Sequence, residues 1–498
     1  MSNRSSGRST ANAGAPPRKR VFLPATILRA AVACAAYAGF ALLLASCGGQ
    51  NNGSGPPQLR VINEAYGAGN NFDVLVNSVS AATNLGFGQV TAFQAAAQGG
   101  NTITFEPTGT TTAALTASFS AATGSNYSVF ALQGSSALSA LVVSQDNSVV
   151  SSGQSRLSFV HAFPGQAALD FYLTSPTATL PASPSISALT FNGGASAGSE
   201  ATAPTILTLS SGDYRIRAVA TGDTTQTVVF DSGAITLQSG ADFLLAVVQT
   251  SGSAAAFSLM SLADDGNVFR ILDQRVLVRM GNFAPALGTL DAFLDPTGTA
   301  NSSTNLFASG ISFGNATSYR AELPGAFEGS MALTGQTLSV VQAPLPLSAS
   351  TSISVFAVGL SGQASPGNLQ LLTLIDNLSA PPSGTANLRV VQLAPDLGPV
   401  DVVLLDVSGA TPVIAQRLVV DLAYSGASAY LSLTAGAYTV ALAPTGQDTP
   451  LMPVSGGLAV NLTTGTVSTL VVEGCEFPST GVCAGGTNAL QLNQLQDN

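Results

Sequence analysis

The sequence predicts an all-β protein: four tandem β-sandwich domains behind a signal peptide and a flexible tether. Three observations predict it. Short apolar runs are broken repeatedly by Gly, Pro, Ser and Asn, and long helical periodicities are missing. One turn-and-strand segment recurs four times, at intervals of roughly 95–120 residues. Hydrophobic residues make up 46% of the 498 residues, enough for several cores, while charged residues make up only 8%.

The N-terminal stretch "RKRVFLPATILRAAVACAAYAGFALLLASCGG" reads as an export signal. Its basic region ends at Arg29, and Ala30 to Leu44 are small or apolar, too short for an ordinary membrane-spanning helix. Leu44-Ala45-Ser46-Cys47 resembles the bacterial lipobox. That resemblance implies that residues 1–46 are a signal peptide, that the Cys47 thiol takes a diacylglycerol, and that the freed amine is acylated. Each buried methylene contributes about 0.8 kcal/mol, so several chains make a stable anchor. An uncleaved signal anchor would leave Cys47 without a role. Gly48 follows the cysteine, and by the same resemblance a residue other than Asp there favours the outer membrane. "KRVFL" at Lys19–Leu23 resembles a weakened twin-arginine motif, so the export route stays open. Residues 47–58 form the lipidated end and a tether, with "GGQNNGSGPP" flexible through Gly, Asn and Ser and stiffened by Pro56-Pro57.

Charge narrows the partners. The lysine and five of the arginines precede Cys47 and all 26 acids follow it, against ten arginines. Nucleic-acid binding needs clustered cations, so nucleic acid is not an expected partner. Cys34 leaves with the signal. Cys475 and Cys483, with "EFPSTGV" between them, read as a disulfide in an oxidising compartment. The rival reading is a metal site, which would need a His or a second Cys pair nearby.

The four repeated segments are "LRVINEAYGAGNNFDVLV" from Leu59, "RLSFVHAFPGQAALDFYL" from Arg156, "LVRMGNFAPALGTLDAFL" from Leu277 and "RVVQLAPDLGPVDVVL" from Arg389. Each is a β-like run, a turn, an aspartate and a second β-like run. The aspartates are Asp73, Asp170, Asp291 and Asp401; the turns carry Gly67, Pro164, Pro285 and Pro395. An L-x-[FY]-x element follows, as in Leu85-Gly86-Phe87-Gly88 and Ile311-Ser312-Phe313-Gly314, then a further strand. Each unit closes on an acidic turn: Asp146-Asn147, Asp264-Asp265-Gly266-Asn267, Asp376-Asn377 and Asp497-Asn498. The expected domains are therefore 59–152, 153–270, 271–384 and 385–498, each an Ig-like or transthyretin-like sandwich that folds separately. In the second copy, Leu169, Phe171 and Leu173 point to the core, while Asp170 and Tyr172 face a partly covered second side.

"VHAFPGQAALDFYL" and "VVQLAPDLGPVDVVLL" resemble the signature of the bacterial domain-of-unknown-function family numbered 4397, roughly V-V-H-A-x-P-D-x-x-x-V-D-V-Y. The place of its histidine is taken by Glu64, His161, Asn282 and Gln392 in the four copies. The resemblance implies an exported, often lipid-anchored bacterial β domain and implies no reaction.

His161 is the only histidine and the natural general base, but a polar residue recurs at its place without the acid–base chemistry. That pattern suits a hydrogen bond to the turn. "GASAG" at Gly194–Gly198 matches a nucleophile elbow around Ser196, yet no helix pattern follows and the histidine lies upstream. The four aspartates occur once per domain, which favours local hydrogen bonds to backbone N–H groups over paired-carboxylate hydrolysis. "DDGN" at Asp264–Asn267 is the best cluster for structural calcium; no other cofactor is expected. The functional expectation is a lipid-anchored cell-envelope protein, held to the membrane through Cys47, that binds a glycan, envelope polymer or protein without catalysis. The alternatives are a structural surface or spacer role and a hydrolase using His161.

Overall fold

The computed structural model describes residues 42–44, 55–67, 71–134, 137–191, 201–263, 266–299, 301–409, 411–449, 457–478, 483 and 488–498. Cys47, most of the signal and tether, Ser196 with its flanking glycines, and Asp264-Asp265 lie outside these residues.

Among the described residues the strands form eight sheets, two to a domain. Domain 1 runs through Gln58–Glu64, Phe72–Val76, Val79–Leu85, Gln94–Ala95, Gly99–Pro107, Leu115–Ala121, Ser125–Gln133 and Leu138–Asp146. One sheet orders these as fourth, first, seventh, eighth; the other as third, second, fifth, sixth. Neighbours are antiparallel except the first and seventh strands, which run parallel. The same order recurs in the other three domains, whose first strands are Gln154–His161, Val276–Phe283 and Thr385–Gln392. Domain 2 adds an edge strand, Val268–Ile271, and Leu42–Leu44 runs parallel along its Ile235–Leu237. The chain is thus all-β, in tandem β-sandwiches.

Alternation explains the second sheet of each domain. Gly99–Pro107 buries Asn101, Ile103 and Phe105 and exposes Thr102 between them. The second strand of domain 2 lies mid-sheet, with Leu169 and Phe171 in the core and Tyr172 buried on the other side.

The first sheet behaves differently. Gln58–Glu64 is buried from Leu59 to Glu64, and Ser352–Val358 along its whole length. A strand covered on both faces reads as a continuous apolar run. Leu59 and Val61 face the core of domain 1, while Ile62 faces outward. There Ile62, Phe130, Leu132, Leu141 and Val143 meet Val160, Leu244, Ala246, Val248, Met260 and Leu262 of domain 2. In the same way Phe283, Phe356 and Val358 of domain 3 meet Val391, Leu393 and Val471 of domain 4. Burying such a side chain contributes about 1.5–3 kcal/mol, so these contacts stabilise each pair. Each domain has its own core, but domains 1 and 2, and domains 3 and 4, are joined sheet to sheet.

Candidate functional site

The repeated segment places a polar side chain at the end of each first strand, just before the turn. The Asn282 carbonyl oxygen Oδ1 accepts the Ala284 N–H, and its Nδ2 donates to the carbonyls of Gly288 and Ile311. Gln392 accepts the Ala394 N–H at 2.7 Å and donates to the Leu397 carbonyl. In domain 1 the residue that does this is Asn63, which accepts the Ala65 N–H and donates to the Leu85 carbonyl. The alignment that put Glu64 there is one residue out of register. In a strand that error turns the side chain to the opposite face. Glu64 points across the domain interface instead, where its carboxylate pairs with Arg270.

His161 occupies the same place in domain 2. Its Nδ1 accepts the Phe163 N–H at 3.3 Å. Burial pushes its pKa below the usual range, with a hydrogen bond to the Ala167 backbone partly offsetting this. The ring therefore favours the neutral form, and its Nδ1 takes the turn N–H that the amide oxygens of Asn63, Asn282 and Gln392 take.

The motif aspartates each tie two neighbouring strands to their own. Asp73 accepts the N–H groups of Asn84, at 2.8 Å, and Gly109. Asp170 accepts the Ala188 N–H and the Thr221 hydroxyl, both at 2.7 Å. Asp291 accepts Gly310 N–H, Ser309 hydroxyl and Gly335 N–H. Asp401 accepts Asp421 N–H and Gly446 N–H and pairs with Arg417. The residue held on the third strand has positive φ in every copy: Asn84, Ala188, Gly310 and Asp421. The left-handed region is costly for Asn, Ala and Asp, and a carboxylate on the N–H offsets that cost. Backbone hydrogen bonds from Asn84 and Gly109 hold Asp73 below the ordinary carboxylate range. Burial opposes this at Asp291 and Asp401, but their hydrogen bonds outweigh it. The aspartates clamp the adjacent strands rather than their own turn, and Asp170 and His161 spend their hydrogen bonds on different groups.

The prolines shape the turns. Pro285 also offers its carbonyl to Asn488 Nδ2 of domain 4, at 2.6 Å. Cys475 and Cys483 form a disulfide, both sulfurs buried against Leu360 of domain 3. Asp396, beside Pro395, lies close to these sulfurs and accepts the N–H groups of Glu476 and Phe477. Oxidised to a disulfide, the sulfurs are not thiolate metal ligands.

Sequence reasoning passed over the arginines three residues before the polar position. Arg60, Arg279 and Arg389 project from the outward face of their first strands, next to Ser128, Ser354 and Thr469 on the seventh. Arg389 Nη2 lies 2.6 Å from Asp376 at the end of domain 3, and Arg279 Nη2 lies 2.7 Å from Asp497 at the end of domain 4. Tyr319 donates to Asp376 and Tyr430 to Asp497. Burial pushes both phenol pKa values up, so both remain donors. In the first pair Arg60 reaches the Ala263 carbonyl, and Arg156, two residues before Ser158 and hence on the same face, pairs with Asp146. Three of the acidic turns that close the repeats, at Asp146, Asp376 and Asp497, supply partners for arginines of the neighbouring domain. Their regular recurrence was the signal available in the sequence.

Together these geometries brace backbone and join domains. No curated protein matches the chain. Among solved structures, the Bacillus anthracis TIE protein is 8% identical with a TM-score of 0.14, covering 84% of this chain and 68% of that one. The product complex of a multi-modular glycogen-degrading pneumococcal virulence factor, SpuA, is 8% identical with a TM-score of 0.14, covering 79% of this chain and 37% of that one. The family model described as Domain of unknown function (DUF4397) matches residues 57–172 and 276–403. Each match starts at the first strand of a domain pair and ends on the second strand of the following domain. These two stretches match that family's model, consistent with tandem repeats of its domain.

Proposed function

We propose that this is a lipid-anchored cell-envelope protein, attached through Cys47 to the outer membrane, that presents its paired β-sandwiches for binding without catalysis. The observation that carries the reading is the use made of the repeated signature. Asp73, Asp170, Asp291, Asp401 and His161 are committed to backbone groups, which suits a scaffold whose loops meet a ligand. Leu44-Ala45-Ser46-Cys47 and the Gly-rich tether supply the anchor. Tethered tandem domains gain avidity for repetitive partners such as glycans or envelope polymers.

Two experiments test it. Cys47→Ala, or globomycin treatment, should move the protein from the membrane to the soluble fraction; unchanged membrane retention contradicts the anchor. The whole chain should be retained on insoluble envelope polymer or a glycan array more strongly than a shortened chain lacking one pair. Equal and negligible retention of both counts against binding and favours the second reading, a surface spacer. Buried cross-domain ion pairs such as Arg279–Asp497 favour that spacer, because they stiffen each pair.

A further inference from the structure

One buried acid stands apart from this scheme. Glu473 ends the seventh strand of domain 4 and is fully buried. Its carboxylate faces the turn of domain 3 at Gly314 so closely that a Cβ there would lie 2.7 Å from Oε1. Gln491 Nε2 donates to Oε1 at 2.6 Å. Asn493 Nδ2 bridges the domains, donating to the Gly314 carbonyl at 2.6 Å and lying 3.5 Å from Glu473 Oε2.

The corresponding contact between domains 1 and 2 is built with a counter-charge. There the matching turn, Phe87-Gly88, packs on Arg270, which pairs with the buried Glu64. Around Glu473 the packed elements are Ser312–Asn315, Val391–Ala394, Gly474-Cys475 and the strand Gln491–Gln496. Among the described residues these stretches carry no ionisable side chain, Cys475 being in the disulfide, and Arg389 further along the paired first strand is committed to Asp376. Both amides donate N–H groups, which suit the ionised form, but two neutral donors do not offset the cost of burying the charge. Burial pushes Glu473 up to about 7, opposed by the hydrogen bonds from Gln491 and Asn493.

We propose that Glu473 is a pH-responsive latch between domains 3 and 4: neutral, it holds the two sheets closed against the Gly314 turn; ionised, it loosens them. The direction follows from linkage. A carboxyl whose pKa is raised in the fold contributes stability that is fully present below its unfolded value near 4.5 and is lost as pH rises through about 7. The latch is independent of what the domains bind.

The test uses the mature chain with Cys47→Ala, with spin labels at Leu338→Cys in domain 3 and Val420→Cys in domain 4, both exposed positions. The wild-type distance distribution should be narrow at pH 5.5 and broaden by pH 8.5, with a midpoint near 7. Glu473→Gln, which keeps the shape and removes the charge, should stay narrow throughout. Over that range the unfolding equilibrium of wild type relative to Glu473→Gln should rise roughly thirtyfold. A wild-type distribution that ignores pH overturns the proposal, and so does broadening of equal size in Glu473→Gln. Should Glu473→Gln not fold, the wild-type midpoint decides alone: a transition absent near 7 overturns it.

Discussion

Arg389 of domain 4 holds Asp376 of domain 3, and Arg279 of domain 3 holds Asp497 of domain 4. All four side chains are almost wholly buried. A buried carboxylate stripped of its cation retains its desolvation cost.

Arg389→Met should therefore cost about 3–5 kcal/mol, and adding Asp376→Leu should return a large part of it. A double-mutant cycle followed by urea unfolding measures this. A single substitution costing less than about 1 kcal/mol would show the pair to be solvated.

Asp291→Ala should cost about 1–3 kcal/mol, because it leaves the N–H groups of Gly310 and Gly335 without their acceptor. Asp291 is held below its ordinary range, so its contribution is present above about pH 4 and is lost as pH falls through the lower folded value. Acid unfolding followed by circular dichroism should show a steeper loss for wild type than for Asp291→Ala.

His161→Gln should be nearly neutral above pH 7, since Gln392 makes the same turn bond in domain 4. His161 is lowered in the fold, so it contributes stability above its unfolded value near 6.5, lost as pH falls through the folded value. The wild-type curve should fall below that of His161→Gln as pH drops below about 6.5. Superimposable curves would contradict a buried neutral ring. Loss of an activity with the fold intact would reopen the hydrolase reading.

Cys483→Ser should cost roughly 2–3 kcal/mol through the freed loop. It should also weaken the contact of domain 4 with Leu360, seen as faster hydrogen exchange near Leu360. Unchanged exchange there would confine the disulfide's role to its own loop.

Much of this architecture was legible. Alternation in strands such as Gly99–Pro107 and the spacing of Asp73, Asp170, Asp291 and Asp401 mark the sandwiches, because local periodicity and turn chemistry are written in neighbouring residues. The need for a polar residue at His161 and its sister positions was legible too. The place of Asn63 was not, since Asn63 and Glu64 are both polar and only the strand's facing tells them apart.

By itself, then, the sequence determined the fold class, the repeat, the turn residues and the Cys475–Cys483 pairing, all consequences of short-range pattern. The tertiary structure decided what long-range burial decides. It closed the outward faces of Ile62 and Phe356 against a second domain, sent Arg279 and Arg389 to acids of the neighbouring domain, and buried Glu473 with no counter-charge among the described residues. An apolar run is the same string whether one face or both are covered, and a buried charge takes its chemistry from groups distant in the chain.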